Sequence, residues 1–307
     1  MNRKPYHSVA VLMGGSSSER DISMLSGQAV AGALREAGYD VHPVVVDAHD
    51  AFALPPGTEA VFIALHGAFG EDGGVQRILR DQGMPYTGSG PESSRTSFDK
   101  VLAREAFAAA GVRIPEGVVV HRANIATTRP PWIPVVVKPP CQGSSVGVSI
   151  VKDAAKFPAA LAAAAKYGEN ILLEAFIPGR EWTVPIVGDQ VLPIVEITPK
   201  IGEGWYDWTA KYQSGGTTVY TFPEDDPANA AIAREVREQA MAAFKAVGAS
   251  GLGRVDFRIS PEGTPYALEL NAIPGCTASS ILPKSAARAG IAFPALCARI
   301  LESARCT

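Results

Sequence analysis

Near the C-terminal end, two short runs alternate apolar and polar positions with period two: Gly253-Arg254-Val255-Asp256-Phe257-Arg258-Ile259 and Tyr266-Ala267-Leu268-Glu269-Leu270-Asn271. Each pattern predicts a half-buried strand. The link Pro261-Glu262-Gly263-Thr264 predicts a hairpin that sets Asp256 across from Glu269 and Arg254 across from Asn271. Val255, Phe257, Ile259, Leu268 and Leu270 then share the core face. Asp256, Glu269 and Asn271 gather on the other face beside Arg254. Two carboxylates brought close repel unless a cation lies between them, and an oxygen-only set suits Mg²⁺ better than zinc. Phosphate handling through metal is one reading of that face, and a merely charged, solvated sheet face is the other.

Upstream, the apolar run Val9 to Met13 ends in Gly14-Gly15-Ser16-Ser17-Ser18-Glu19, and helical spacing of Ile22, Leu25, Ala29, Val30 and Leu34 runs to a stop at Gly38. Val41 to Val46 and Ala60 to Leu65 predict further buried strands, the second ending at His66-Gly67 before a helix from about Gly74 to Asp81. These elements form an open α/β unit. Small and polar residues from Thr87 to Ser97 mark a boundary, with a helix over Phe98 to Ala110 stopped by Gly111.

Val135 to Lys138 predicts a strand, Gln142 to Gly147 a Gly/Ser loop, and Val148 to Val151 the hairpin partner. Ala154 to Ala165 reads as a helix and Ile171 to Glu174 as a strand. From about Trp182 come more strands, a glycine-punctuated loop from Lys200 to Gly216, the long helix Ala228 to Val247 and the hairpin described first. The expected division is 1–92, an N-terminal α/β unit; 93–181, a central unit with the Gly/Ser loop; and 182–307, a unit with the charged hairpin and the 200–216 loop.

At 307 residues with 47% hydrophobic content, the chain suits two or three domains with substantial cores. Lys and Arg total 28 against 31 Asp and Glu, and no basic tract occurs, which argues against nucleic acid or anionic lipid as partner. The polar start, Met1 to His7, and the lack of any run of about 18 apolar residues predict a cytoplasmic protein. Cys141, Cys276, Cys297 and Cys306 lack CxxC spacing and read as free thiols.

Gly143-Ser144-Ser145-Val146-Gly147 offers backbone N–H groups and two hydroxyls to an anion, with Lys138 at the preceding strand end. It is not a Walker loop, since GxxxxGK[ST] occurs nowhere, and alone it reads first as a plain flexible turn. Glu19 opens a helix, where a carboxylate caps electrostatically or grips a substrate ammonium at the sheet's carboxyl edge. His66 shares that edge, with a structural role as the alternative. Arg254 could hold a phosphoryl group or a developing oxyanion, while Lys211 and Tyr212 lie in a loop whose glycines permit closure over a site or plain solvation.

In combination these stretches resemble the D-alanine–D-alanine ligases of the ATP-grasp superfamily along nearly the whole chain. The resemblance is carried by Gly14-Gly15-Ser16-Ser17-Ser18-Glu19-Arg20, His66-Gly67 with Gly70-Glu71-Asp72-Gly73, Pro85 to Ser89, Asp99-Lys100, Val137-Lys138-Pro139, Gly143 to Gly147, Ala210-Lys211-Tyr212, Gly253 to Asp256, and Glu269-Leu270-Asn271 with Pro274-Gly275. It implies an α/β (α+β) ATP-grasp fold preceded by an N-terminal open α/β domain. It also implies ATP-dependent joining of two D-alanines through an acyl phosphate, for peptidoglycan precursor synthesis.

Carried over by position, the resemblance implies Lys100 and Lys138 as ATP phosphate ligands under the loop of Ser144 and Ser145. Glu174 and Ile177 would border the adenine and Glu181 the ribose. Asp256, Glu269 and Asn271 would hold two Mg²⁺ ions, with Mn²⁺ as a possible substitute. Glu19 and His66 fall where the family positions the first D-alanine, and Ser280 with the backbone of Ile281 where it binds the second carboxylate. Arg254 and the Gly275 N–H would face the oxyanion, and the family is commonly homodimeric. Glu19, Ser144 and Tyr212 form the set that dipeptide-forming members keep, which favours an amine acceptor over D-lactate; D-serine or D-lactate remains the alternative. Two departures stand out. Ala272 replaces the usual Thr after the metal-binding Asn, and Cys141-Gln142 replaces a more polar pair before the glycine loop. A dinucleotide oxidoreductase is disfavoured because GxGxxG does not follow Val9 to Met13.

Overall fold

The computed structural model describes residues 4–47, 49–199 and 218–307. The expected loop at 200–216, with Lys211 and Tyr212, lies outside the described residues. In chain order the elements are β1 (Ser8–Gly14), α1 (Arg20–Glu36), β2 (Asp40–Val46), β3 (Ala60–Ile63), α2 (Gly74–Asp81), α3 (Pro91–Phe98), α4 (Lys100–Ala109), β4 (Gly117–His121), β5 (Val135–Lys138), β6 (Ser149–Val151), α5 (Phe157–Ala164) and β7 (Asn170–Ala175). They continue with β8 (Arg180–Val187), β9 (Gln190–Val191), β10 (Val195–Thr198), β11 (Val219–Thr221), α6 (Ala230–Ala246), β12 (Leu252–Ile259), β13 (Pro265–Asn271), α7 (Ile281–Arg288) and α8 (Phe293–Glu302).

Among the described residues there are three sheets. The first is parallel, in the order β2-β1-β3, with α1 as crossover. Val9 to Met13 of β1 are buried on both faces, as a central strand requires. The run Val41 to Val46, expected to be buried, is instead the edge strand β2: Pro43 is exposed and Val45 is 49% exposed. A proline there removes an edge donor at no cost to the ladder.

Helix α1 meets the sheet through Ser23, Ser26, Gly27, Val30 and Leu34. The pattern read from the sequence included Leu25, which turns away and is 55% exposed at a cavity mouth. Small residues took its place because the backbones approach closely: a Cβ on Gly27 would lie 2.5 Å from the Cβ of Met13. Buried Ser23 accepts from the Gly14 N–H and donates to the Ala64 carbonyl, each at 2.8 Å. One hydroxyl thus ties the carboxyl ends of β1 and β3 to the start of α1, fixing Glu19 relative to His66.

Helix α3 lies within the stretch expected to be a polar boundary. Its serines satisfy their hydroxyls on local carbonyls, Ser97 on Ser93 and Ser94 on Ser89, so low apolar content did not preclude a helix. The next helix begins at Lys100 rather than Phe98, because Asp99 is extended and caps the Val101 and Leu102 N–H groups. The alanine-rich helix expected from Ala154 is shorter as α5, preceded by a 3₁₀ turn at Ala154–Lys156.

The second sheet runs β4-β7-β5-β6, all antiparallel, and packs Val135, Val137, Ile171 and Leu173 against Phe157 and Leu161 of α5. The third runs β11-β10-β8-β12-β13, with β9 on β8. Its core face carries Trp182, Val184, Val255 and Phe257 against Phe107 of α4 and Val236, Ala240 and Phe244 of α6. Burying each of its larger side chains contributes about 2–3 kcal/mol.

The β12–β13 register pairs Asp256 with Glu269 and Arg254 with Asn271, as the alternation predicts. A bulge after Asp256 then shifts the pairing, so Phe257 faces Ala267. Ala267 takes the core position expected for Leu268, and Leu268 turns to the ligand side, where it lines a cavity. One extra residue inverts the side-chain alternation beyond it. Beyond β13 the chain returns to the first sheet: Leu282 of α7 and Leu296, Ile300 and Leu301 of α8 share one core with β1 and α1.

Candidate functional site

The carboxyl ends of the first sheet, the Gly/Ser loop and the β12–β13 hairpin converge on two adjoining cavities. The larger, about 890 Å³, is lined by Glu19, His66, Ser144, Asn271, Gly275 and Ser280 among others. The smaller, about 140 Å³, is lined by Lys138, Ser145, Glu174, Ile177, Glu181 and Asp256 among others. Lys100, Gln142, Arg254, Glu269 and Ile281 border both. Every site residue expected from the sequence and described in the structure therefore lines one cavity or the other.

In the larger cavity Glu19 is the N-cap of α1 yet makes no side-chain capping bond. Its Oε1 accepts from the Ser144 hydroxyl, which links the first sheet to the Gly/Ser loop while the carboxylate stays at the N-terminus of α1, where it still faces the positive end of the helix dipole. Ser144 and Ser145 both adopt positive φ, 51° and 60°, a conformation that non-glycine residues rarely hold outside functional turns. His66, 6% exposed, is fixed at both ring nitrogens: Nε2 lies 3.0 Å from Ser26 Oγ and Nδ1 3.6 Å from Glu71 Oε1. Burial pushes the Glu71 carboxyl above its ordinary range, and the neighbouring His66 ring only partly offsets this. At the far wall, Ser280 Oγ accepts from the Thr277 N–H at 3.0 Å and opens α7.

In the smaller cavity Glu174, 2% exposed, accepts from two cations, Lys138 Nζ and Arg104 Nη1. A buried carboxylate without such partners would be neutralised. Gly117 pairs with Glu174 across β4 and β7, and a Cβ there would come 2.7 Å from Arg104 Nη2, so the glycine makes room for the guanidinium. Arg258 donates to the carbonyls of Ile177 and Gly179 and lies 3.5 Å from Glu181.

Where the cavities meet, Arg254 forms a two-pronged pair with Asp256, Nε to Oδ1 at 2.8 Å and Nη2 to Oδ2 at 2.7 Å. Asp256 also accepts from the Thr183 hydroxyl. Lys100 Nζ donates to the Gln142 carbonyl at 2.8 Å and lies 3.0 Å from Glu269 Oε2. Burial alone would favour neutral Lys100, but the Glu269 charge and hydrogen bond outweigh it and hold its pKa above the ordinary lysine value. Asn271 Oδ1 accepts from the Ile273 N–H at 2.9 Å, which turns the amide oxygen along the hairpin. Two carboxylates in register and an amide oxygen form a hard donor set that fits a divalent ion such as Mg²⁺.

Sequence reasoning assigned no role to Arg104, Thr183, Arg258, Ser26 or Glu71. Arg104 had a usable signal, since it follows Lys100 by four residues and so shares its face of α4. Arg258 had one too, two residues beyond Asp256 on the same face of β12. Thr183 sits on the neighbouring strand β8, Ser26 on α1 and Glu71 in the loop after β3, and their contacts follow from how those elements pack.

Comparison with known proteins gives a consistent family. The family model for the D-ala D-ala ligase N-terminus matches residues 8–60, and that for the D-ala D-ala ligase C-terminus matches residues 114–302. A D-alanine–D-alanine ligase of Acidiphilium cryptum is 43% identical over 302 residues, covering 97% of this chain and 98% of the relative. One from Anaeromyxobacter sp. is 44% identical, covering 96% of both. Among solved structures, D-alanine–D-alanine ligase from Bacillus anthracis superposes with a TM-score of 0.83 at 32% identity, covering 97% of each chain. The VanG D-Ala:D-Ser ligase from Enterococcus faecalis gives 0.82 at 25% identity, covering 96% of this chain and 98% of that one. The Bacillus anthracis enzyme complexed with ATP gives 0.79 at 28% identity, covering 97% of both.

Proposed function

The chain belongs to the D-alanine–D-alanine ligase family of ATP-grasp enzymes, and from that premise we propose how its own residues join two D-alanines at the expense of ATP. The observation that carries the reading is the meeting of the two cavities at Lys100, Arg254 and Glu269. A nucleotide in the smaller cavity would direct its phosphates toward an amino acid in the larger one.

In this reading Lys100 and Lys138 hold phosphate, with the Ser144–Ser145 loop covering it. Ile177 and Glu174 border the adenine and Glu181 the ribose. Glu19 takes the ammonium of the first D-alanine beside His66. Ser280 and the Ile281 backbone take the carboxylate of the second. The first carboxylate attacks the γ-phosphate to give an acyl phosphate, and the second amine then displaces phosphate. Peptide bond formation is uphill in water, so acyl activation is required, and a closed cavity keeps water from the acyl phosphate. Arg254 and the Gly275 N–H face the oxyanion of the tetrahedral intermediate.

Asp256, Glu269 and Asn271 would hold Mg²⁺, or Mn²⁺ in its place, which would screen the repulsion between the anionic nucleophile and the phosphates. Lys211 and Tyr212 complete the substrate set in this reading. The division 1–92, 93–181 and 182–307, a cytoplasmic location, a homodimer and partners limited to small molecules all accompany it. No helix among the described residues is long and apolar enough to cross a membrane.

The purified chain, supplied with ATP, Mg²⁺ and D-alanine, should release ADP and D-alanyl-D-alanine in equal amounts. ADP without dipeptide, or neither product, would overturn the proposal. A D-Ala:D-Ser ligase among the structural relatives makes acceptor choice worth testing directly. D-serine and D-lactate should compete poorly with D-alanine at neutral pH.

A further inference from the structure

Both carboxylates that face each other on the β12–β13 hairpin are paired with cations from this same chain. Arg254 holds both oxygens of Asp256, at 2.8 and 2.7 Å. Lys100 lies 3.0 Å from Glu269. Thr183 adds a hydrogen bond to Asp256, and the Asn271 amide oxygen already accepts from Ile273 at 2.9 Å. Asp256 and Glu269 contribute two negative charges, Arg254 and Lys100 two positive ones, so the donor cluster is neutral as it stands.

These four side chains give a divalent cation arriving alone no net attraction, and it must displace charge-assisted bonds, which are among the strongest available to a side chain. A triphosphate changes that balance. Lys100 borders both cavities, so phosphate in the smaller one competes with Glu269 for the same ammonium while supplying negative charge and further oxygens for a metal.

We propose that Lys100 and Arg254 serve as built-in counter-ions that keep divalent metal off Asp256 and Glu269 until a nucleoside triphosphate draws Lys100 away, so that metal and nucleotide enter together. This rests on the reading of Asp256, Glu269 and Asn271 as metal ligands and adds the condition under which they become available.

The test is a Mn²⁺ titration of the full chain without nucleotide, followed by electron paramagnetic resonance. Wild type should bind only in the millimolar range. Lys100→Met should bind Mn²⁺ at least about tenfold more tightly, because Glu269 loses a charged hydrogen-bond partner. Arg254→Met should gain similarly through Asp256, and Glu269→Gln added to Lys100→Met should abolish the gain. Micromolar Mn²⁺ binding by the nucleotide-free wild type would overturn the proposal whether or not either variant folds. So would folded variants that bind no better than wild type. Failure of dipeptide synthesis is a separate readout and bears on the function instead.

Discussion

Ser144 donates its hydroxyl hydrogen to Glu19, joining the Gly/Ser loop that follows β5 to the first turn of α1. The contact depends on the absence of a side chain next door, since a Cβ on Gly143 would lie 2.9 Å from Glu19 Oε2. The clashing atom is the far end of a flexible side chain, so Gly143→Ala should move the carboxylate at little cost to the fold. The Michaelis constant for the first D-alanine should rise about tenfold, roughly 1.4 kcal/mol. The urea midpoint should stay near that of wild type. An unchanged Michaelis constant would remove Glu19 from the substrate ammonium.

Arg254→Ala should reduce turnover by a factor on the order of 10² to 10³, about 3–4 kcal/mol of transition-state stabilisation. The pairing with Asp256 adds a structural cost that an oxyanion role alone would not, so its melting temperature should also fall. Arg254→Lys restores the charge but not the two-pronged geometry, and should recover stability more than turnover. Near-normal turnover of Arg254→Ala would rule out the oxyanion role.

The hairpin register and the strand–turn–helix order were legible because they rest on local alternation and on glycine and proline punctuation. The bulge after Asp256 was not, because nothing in Tyr266-Ala267-Leu268 distinguishes a regular strand from one that inserts a residue. Strand β4 was missed although Val118-Val119-Val120 is the same valine run that marked β5. It is an edge strand with Val118 and Val119 42% and 46% exposed. The partners of the expected site residues, Arg104 on Glu174 and Thr183 on Asp256, depend on which strands become neighbours. That is decided by tertiary packing rather than by spacing.

Glu71 gives a pH prediction with a defined sign. Burial raises its folded pKa above the ordinary value of 4.5, so the native state holds this proton more tightly than the unfolded chain does. Its contribution to stability is therefore fully present below pH 4.5 and is lost as pH rises through the folded value. Glu71→Gln removes that titration. Its stability relative to wild type should increase progressively as pH rises above 4.5. Urea denaturation of both proteins across that window checks this, and a parallel pH dependence would show that Glu71 is not buried as a strained acid.

Arg104→Met leaves Glu174 with Lys138 as its remaining cation. Removing one partner of a buried pair costs about 3–5 kcal/mol when the charge is left bare. With Lys138 still in place, a loss of about 2 kcal/mol is expected. Lys138 is then held by a carboxylate it no longer shares, so ATP affinity should fall as well. Arg104→Lys should recover part of both effects, whereas unchanged urea denaturation would mean that the Lys138 pair alone suffices.

Gly179 joins β7 to β8 with φ +113°, and a Cβ there would sit 2.0 Å from the Ile259 carbonyl oxygen. That atom is backbone at the end of β12 and cannot swing aside. The Gly179 carbonyl also accepts from Arg258 at 2.7 Å, which holds the guanidinium beside Glu181 in the smaller cavity. Gly179→Ala should therefore cost about 2–4 kcal/mol, since strain at a special φ adds to a backbone clash. The surviving folded fraction should bind ATP more weakly, because Arg258 and Glu181 move with the turn. Gly168→Ala is the matched control: its φ of 164° is extended backbone open to any residue, and no atom lies within 4 Å of its added Cβ. Equal urea midpoints for the two variants would show that the turn adapts without strain.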